Sequence, residues 1–204
     1  MTIRSGRLTA DGMGCQWPIL AASVAVPTTS GRANARLLTG AMSSPLLTFY
    51  TGWDRYNDLL ERAISGLDAH QLSLRAAPHL GSVRMLANHI VAVRAWWFQS
   101  WMGEGGTQLA EFVDYDEGQE ADRRAAPAIV SALRTTWSSL ASSLSTWTED
   151  DLARQFQRPE PNAAGERPWR TRQWIIWHVA EHDLHHGGEI SLTLGMHGLV
   201  GVGV

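Results

Sequence analysis

The sequence contains no lysine, a single cysteine and no long apolar run. All 17 basic residues are arginine, which we attribute to coding bias rather than to chemistry. Because Cys15 stands alone, an internal disulfide is excluded, and the chain fits a reducing, cytoplasmic setting. No apolar stretch reaches the roughly 18 residues of a membrane-spanning helix, and a net charge of −3 lacks the basic excess of nucleic-acid-binding proteins. We therefore expect a cytoplasmic protein with neither membrane nor nucleic acid as a partner.

Residues 1–42 differ in composition from the rest of the chain. They are rich in Gly, Ser, Thr, Ala and Arg and show no sustained helical period. The apolar run at 17–26 is interrupted by Pro18 and has no clean cleavage site after it, so a secretory signal is the less favoured interpretation. We predict a disordered extension over 1–42, with Met42 as an alternative start, and one domain over 43–204.

Four segments of this domain repeat apolar residues every three or four positions, which is the period of an amphipathic helix. No segment shows the alternation of a strand, so the sequence predicts an all-α, four-helix-bundle fold. Ser82 and Thr171 are suited to cap the second and fourth helices. The predicted helices cover residues 45–67, 82–102, 127–147 and 171–196.

The link between the second and third helices, residues 103–124, is acidic and long. Helix–helix links usually have about 2–8 residues. This length favours a crossover between two helices that run in the same direction. The link before the fourth helix, residues 150–170, contains Pro159, Pro161 and Pro168 and is predicted to be a loop.

The last predicted helix and its end carry five of the eight histidines. His178, His182 and His186 are four positions apart, so they share a helix face with β-carbons about 5–6 Å apart. Two imidazoles at this spacing can bind one divalent metal ion, such as Zn, Ni, Cu or Fe(II). A third ligand must come from another helix, and His89 is the strongest candidate because it lies on the inward stripe of the second helix. Three ligands leave positions open for water or substrate, as in catalytic sites.

At these residues the sequence resembles the DinB/YfiT-like metalloenzyme superfamily, over about residues 46–199. In that family one histidine ligand lies on the second helix, in a setting like that of His89. Two more lie on the fourth helix, in a His-x-x-x-His pattern usually followed by arginine, glycine and glutamine. The resemblance implies a DinB-type bundle whose metal ligands are His89, His182 and His186, with Zn or Ni as the ion. This chain departs from the family pattern at Gly187 and Glu189, which leaves the substrate open.

Characterised members of the superfamily are thiol-dependent, and include bacillithiol and mycothiol S-transferases and a maleylpyruvate isomerase. The resemblance therefore implies a metal-dependent enzyme in which a low-molecular-weight thiol, such as mycothiol or bacillithiol, attacks a small electrophile. Cys15 lies outside the predicted bundle and is not expected to be the nucleophile. Related bundles often dimerise, so a homodimer is a further expectation.

Several other interpretations remain open. A non-catalytic metal-binding or stress-response bundle is the main one, and the histidines could also form no metal site. The isomerase branch suggests Glu181 with His185 as ligands, which we favour less than His182 with His186. The stretch His178-x-x-Glu181-His182 matches an inverted zincin metallohydrolase motif, with Glu181 as general base. That motif needs a further acidic ligand, for which Glu189 is the candidate.

Tryptophans flank the histidines in sequence. Large aromatic residues at helical spacing usually belong to a core, although these could line a substrate pocket. Two arginines, Arg94 and Arg172, could receive a carboxylate of a thiol cofactor, but their spacing does not single them out. The tryptophans are Trp96, Trp97, Trp101, Trp174 and Trp177.

Overall fold

The computed structural model describes residues 45–203. The extension predicted for 1–42, the start at Met42 and Cys15 lie outside this range. Within 45–203, no helix has both the length and the apolar character needed to cross a membrane.

Four long helices dominate the described part of the chain, which confirms the all-α class. The Ser82 hydroxyl accepts a hydrogen bond of 3.2 Å from the Met85 amide, and Thr171 caps its helix through the Trp174 amide at 3.2 Å. Both predicted caps are therefore confirmed. The helices are α1 (Thr51–Ser65), α2 (Val83–Ala95), the single turn α3 (Gly118–Ala121), α4 (Ala126–Thr146) and α5 (Arg172–Met196). A π-helical segment, Trp96–Trp101, continues α2.

Two local predictions were wrong. The first long helix begins at Thr51, because a separate 3₁₀ turn occupies Leu46–Thr48. The link before α5 contains two short antiparallel strands, β1 (Gln155–Gln157) and β2 (Trp169–Thr171), with Phe156 opposite Arg170. Strands of three residues are too short to show an alternating pattern in the sequence.

The direction of each helix follows from the contacts between them. Near the start of α2, Arg84 donates to the carbonyl of Arg124, just before α4. Near its end, Arg94 donates to the carbonyl of Leu133, two turns into α4. The two helices therefore run in the same direction, and the long link between them is the predicted crossover. By contrast, α5 runs antiparallel to α2, since Trp97 on the continuation of α2 packs against Trp174 at the start of α5.

A fully buried ion pair ties α2 to α5. The Asp183 carboxylate accepts hydrogen bonds from Arg94 at 2.7 and 3.0 Å and from the Trp53 indole at 2.6 Å. Arg94 also donates to Asn57 at 2.9 Å. Both charged side chains are 0% exposed. This pairing fixes the relative position of the two helices that carry the predicted metal ligands, and it leaves Arg94 unable to receive a ligand carboxylate.

Candidate metal centre

Antiparallel packing of α2 and α5 brings the three predicted ligands together. The ring of His89 lies 5.0 Å from that of His186 and 5.8 Å from that of His182. The rings of His182 and His186 are 5.4 Å apart, as expected for one helical turn. One ring nitrogen from each histidine lies within 4.8 Å of the other two. A group of this size could hold one metal ion.

Carboxylates orient two of these three rings. Asp116 lies 2.7 Å from Nδ1 of His89, and Glu189 lies 2.7 Å from Nδ1 of His186. A carboxylate at Nδ1 keeps the proton on that nitrogen and leaves the Nε2 lone pair for a metal. Asp116 belongs to the acidic link between α2 and α4. Part of that link therefore contributes a carboxylate to the candidate site.

Burial favours the neutral form of the two candidate ligands on α5, His182 and His186. Burial, with a smaller effect of the neighbouring histidines, lowers the pKa of His182 to about 3. Burial also lowers the pKa of His186, although the hydrogen bond with Glu189 opposes this effect. Nδ1 of His182 is buried and has no hydrogen-bond partner among the described residues. Metal binding requires neutral imidazole, so the donor set fits a divalent ion of the Zn or Ni type.

The structure supports the alternative ligand sets less well than the set of His89, His182 and His186. Glu181 is 63% exposed, and His178 belongs to neither of the possible metal-binding groups found in residues 45–203. The donor atoms of His178, Glu181 and His182 therefore do not come together as the inverted zincin motif requires. His185 is 55% exposed, as expected one step off the ligand face. It does form a second group with His186 and Glu189, whose donor atoms also lie within 4.8 Å of one another.

The comparisons with known proteins bear on the family and the fold. The model of the DinB family matches residues 42–203. The chain belongs to the DinB family. It is also similar in fold to the crystal structure of a DinB-like protein from Bacillus cereus, with a TM-score of 0.57 and 21% identity over 80% of this chain and 99% of that one. A search of curated proteins gave no match.

The two departures from the usual DinB pattern have structural consequences here. A β-carbon at Gly187 would collide with the hydroxyl of Tyr56 on α1 and lie 2.9 Å from its Cζ. The arginine that the family usually has at this position would therefore require the Tyr56 ring to move. Glu189 replaces the usual glutamine and supplies the carboxylate that orients His186.

Proposed function

We propose that this DinB-family protein is a metal-dependent enzyme, with one Zn or Ni ion held by His89, His182 and His186. The observation that carries the proposal is the convergence of three ring nitrogens within 4.8 Å of one another. The carboxylates of Asp116 and Glu189 support it, because oriented histidines of this kind are the common pattern around protein-bound metals.

The reaction that we propose is the transfer of a low-molecular-weight thiol, such as mycothiol or bacillithiol, to an electrophile. A bound divalent ion would lower the pKa of a coordinated thiol and so supply thiolate at neutral pH. Three protein ligands leave room for such a molecule. The sulfur forms a bond to the electrophilic carbon, the leaving group departs with its electron pair, and the thiol proton passes to solvent.

The residues of the chain have separate tasks in this proposal. Asp116 and Glu189 hold the Nδ1 protons of their histidines, which fixes the direction of each lone pair. His182 needs no deprotonation at neutral pH, because burial already keeps it neutral. The ring of His178 packs 4.6 Å from that of His182 and shields it on the side facing the start of α5.

The test is a conjugation assay with protein loaded with Zn or Ni. Mycothiol, bacillithiol or glutathione would be mixed with 1-chloro-2,4-dinitrobenzene, and the thioether measured by absorbance and mass spectrometry. We expect a rate above the buffer rate for at least one thiol, lost in His182→Gln and kept in the matched variant His185→Gln. If metal is retained but no thiol reacts faster than in buffer, the protein is a non-catalytic metal-binding member of the family.

A further inference from the structure

A column of side chains leads away from the histidines along α5. Its members are spaced by four residues: Arg170, Trp174, His178, His182 and His186. The Arg170 guanidinium carbon lies 4.8 Å from the centre of the Trp174 ring. The Trp174 ring stacks on His178 at 4.7 Å, and His178 meets His182 at 4.6 Å. These contacts make the column continuous from Arg170 to the candidate metal centre.

The π-helical segment after α2 supplies a second wall to this column. The ring of Trp97 lies 4.7 Å from His178 and 5.4 Å from Trp174. Trp96 packs edge-on against Trp97 at 5.1 Å, and the guanidinium of Arg158 lies 5.1 Å from the centre of the Trp96 ring. Two arginines therefore stand at the same end of an aromatic surface. Trp174 is 40% exposed, so solvent reaches this surface.

Two hydrogen-bond donors along the column lack acceptors. The indole N–H of Trp97 and Nε of Arg170 are buried and have no hydrogen-bond partner within residues 45–203. Among the described residues the Arg170 guanidinium makes one hydrogen bond, from Nη1 to the Trp169 carbonyl at 3.0 Å, and no ion pair with a carboxylate. Arg172, by contrast, pairs with Glu104 at 2.6 Å and is 1% exposed, so it cannot receive a ligand. Buried donors without acceptors are costly, and they mark a place where a ligand oxygen would be stabilised.

We propose that this column binds an elongated aromatic or flat carboxylate, with its carboxylate at Arg170 and its other end toward His182. Arg170 and His178 stack on the Trp174 ring itself, so the flat body of the ligand lies along the exposed edge of this ring. Eight helical residues separate Trp174 from His182, which corresponds to about 12 Å along the axis. The placement of the reactive end at the histidines rests on the proposed function. The carboxylate site at Arg170 does not.

The probe for this site is 2-naphthoate, which has a flat aromatic body and one carboxylate but no thiol. Its binding would be measured by isothermal titration calorimetry on the full-length protein as purified. We expect Arg170→Gln to bind it about tenfold more weakly, since a charge-assisted hydrogen bond of about 1.4 kcal/mol is lost. The matched control, Arg167→Gln, removes an exposed arginine from the same link and should bind 2-naphthoate like the native chain.

A neutral probe and a metal assay complete the experiment. The alcohol 2-naphthalenemethanol should bind equally to the native chain and to Arg170→Gln, because it has no charge to pair. Equal affinity of these two proteins for 2-naphthoate would overturn the carboxylate site, as would an alcohol that binds as tightly as the acid. Metal content measured on the same samples separates the two proposals. Absence of metal would count against the proposed function alone, whereas loss of the carboxylate preference with metal retained would count against this inference alone.

Discussion

Replacing Asp183 by alanine should destabilise the protein more than any exposed substitution near the site. The carboxylate of Asp183 accepts three hydrogen bonds of 3.0 Å or less, two from Arg94 and one from Trp53. Both charged side chains are 0% exposed, so the variant would leave an uncompensated guanidinium in the core. Breaking a buried ion pair in this way costs roughly 3–5 kcal/mol of the free energy of unfolding. Urea denaturation followed by circular dichroism would measure the loss.

A second aspartate provides the matched control. Asp54 accepts a bond of 2.6 Å from the Trp137 indole, the same kind of donor that Trp53 offers to Asp183. Asp54 is exposed and forms no ion pair with any residue that the structure describes. Asp54→Ala should therefore cost only about 1 kcal/mol.

The double variant Arg94→Met, Asp183→Leu tests the reason for the loss. It removes both charges and fills the space with apolar groups, but it leaves the Trp53 indole and the Asn57 side-chain oxygen without these partners. The double variant should therefore recover part of the stability that Asp183→Ala loses. A double variant as unstable as the single one would show that the cost does not arise from the stranded charge. Equal losses of stability in Asp183→Ala and Asp54→Ala would also refute this reasoning, because only Asp183 belongs to a buried ion pair.

Three further predictions concern α5 and the site. Gly187→Ala should lower the free energy of unfolding by roughly 1–3 kcal/mol, because the new β-carbon meets the tyrosine ring on α1. Gly188 has open space around it, so Gly188→Ala should raise the free energy of unfolding by roughly 0.5–1 kcal/mol. Urea denaturation compares the two variants. The pKa of His182, about 3 against an ordinary 6.5, means that the unfolded chain binds more protons between these values. The stability of metal-free protein should therefore fall as the pH drops through this range, and less steeply in His182→Gln, as measured by thermal unfolding at a series of pH values. Asp116→Asn should weaken metal affinity by about 10–100-fold in a chelator competition assay, because the carboxylate that orients His89 is lost. The control variant Asp114→Asn, at an exposed neighbouring position, should leave the affinity unchanged. Equal affinities of the two variants would contradict the orienting role of Asp116.

The grouping of the candidate histidines could be predicted in part, because the geometry of two of them is local. His182 and His186 share a helix face by virtue of their spacing alone, and His89 lies on the inward stripe of its own helix. The caps at Ser82 and Thr171 were equally readable, since each hydroxyl bonds an amide three residues on. For the pair His182 and His186 and for both caps, the determining contact lies within one or two helical turns, which is where sequence patterns carry their information. The contact of His89 with this pair depends instead on the packing of α2 against α5.

Contacts between distant segments could not be predicted from the sequence. Asp116 meets His89 across 27 residues, from a link that shows no periodicity. Arg94 was considered as a ligand-binding arginine, because nothing near it in the sequence reveals that Asp183, 89 residues away, buries and neutralises it. Arg170 gives no sequence signal either, since only the β-strand before α5 brings its side chain over Trp174.

The most direct test of the account is the metal content of the native chain and of single histidine variants, measured by elemental mass spectrometry on tag-free protein. We predict about one Zn or Ni ion per native chain. It should be lost in His89→Ala, His182→Ala and His186→Ala and retained in His185→Ala, which alters the neighbouring, exposed histidine. Native protein that binds no metal even after reconstitution would contradict the central claim. So would metal that survives His89→Ala and is lost in His185→Ala, because the ion would then belong to the second group of donors on α5.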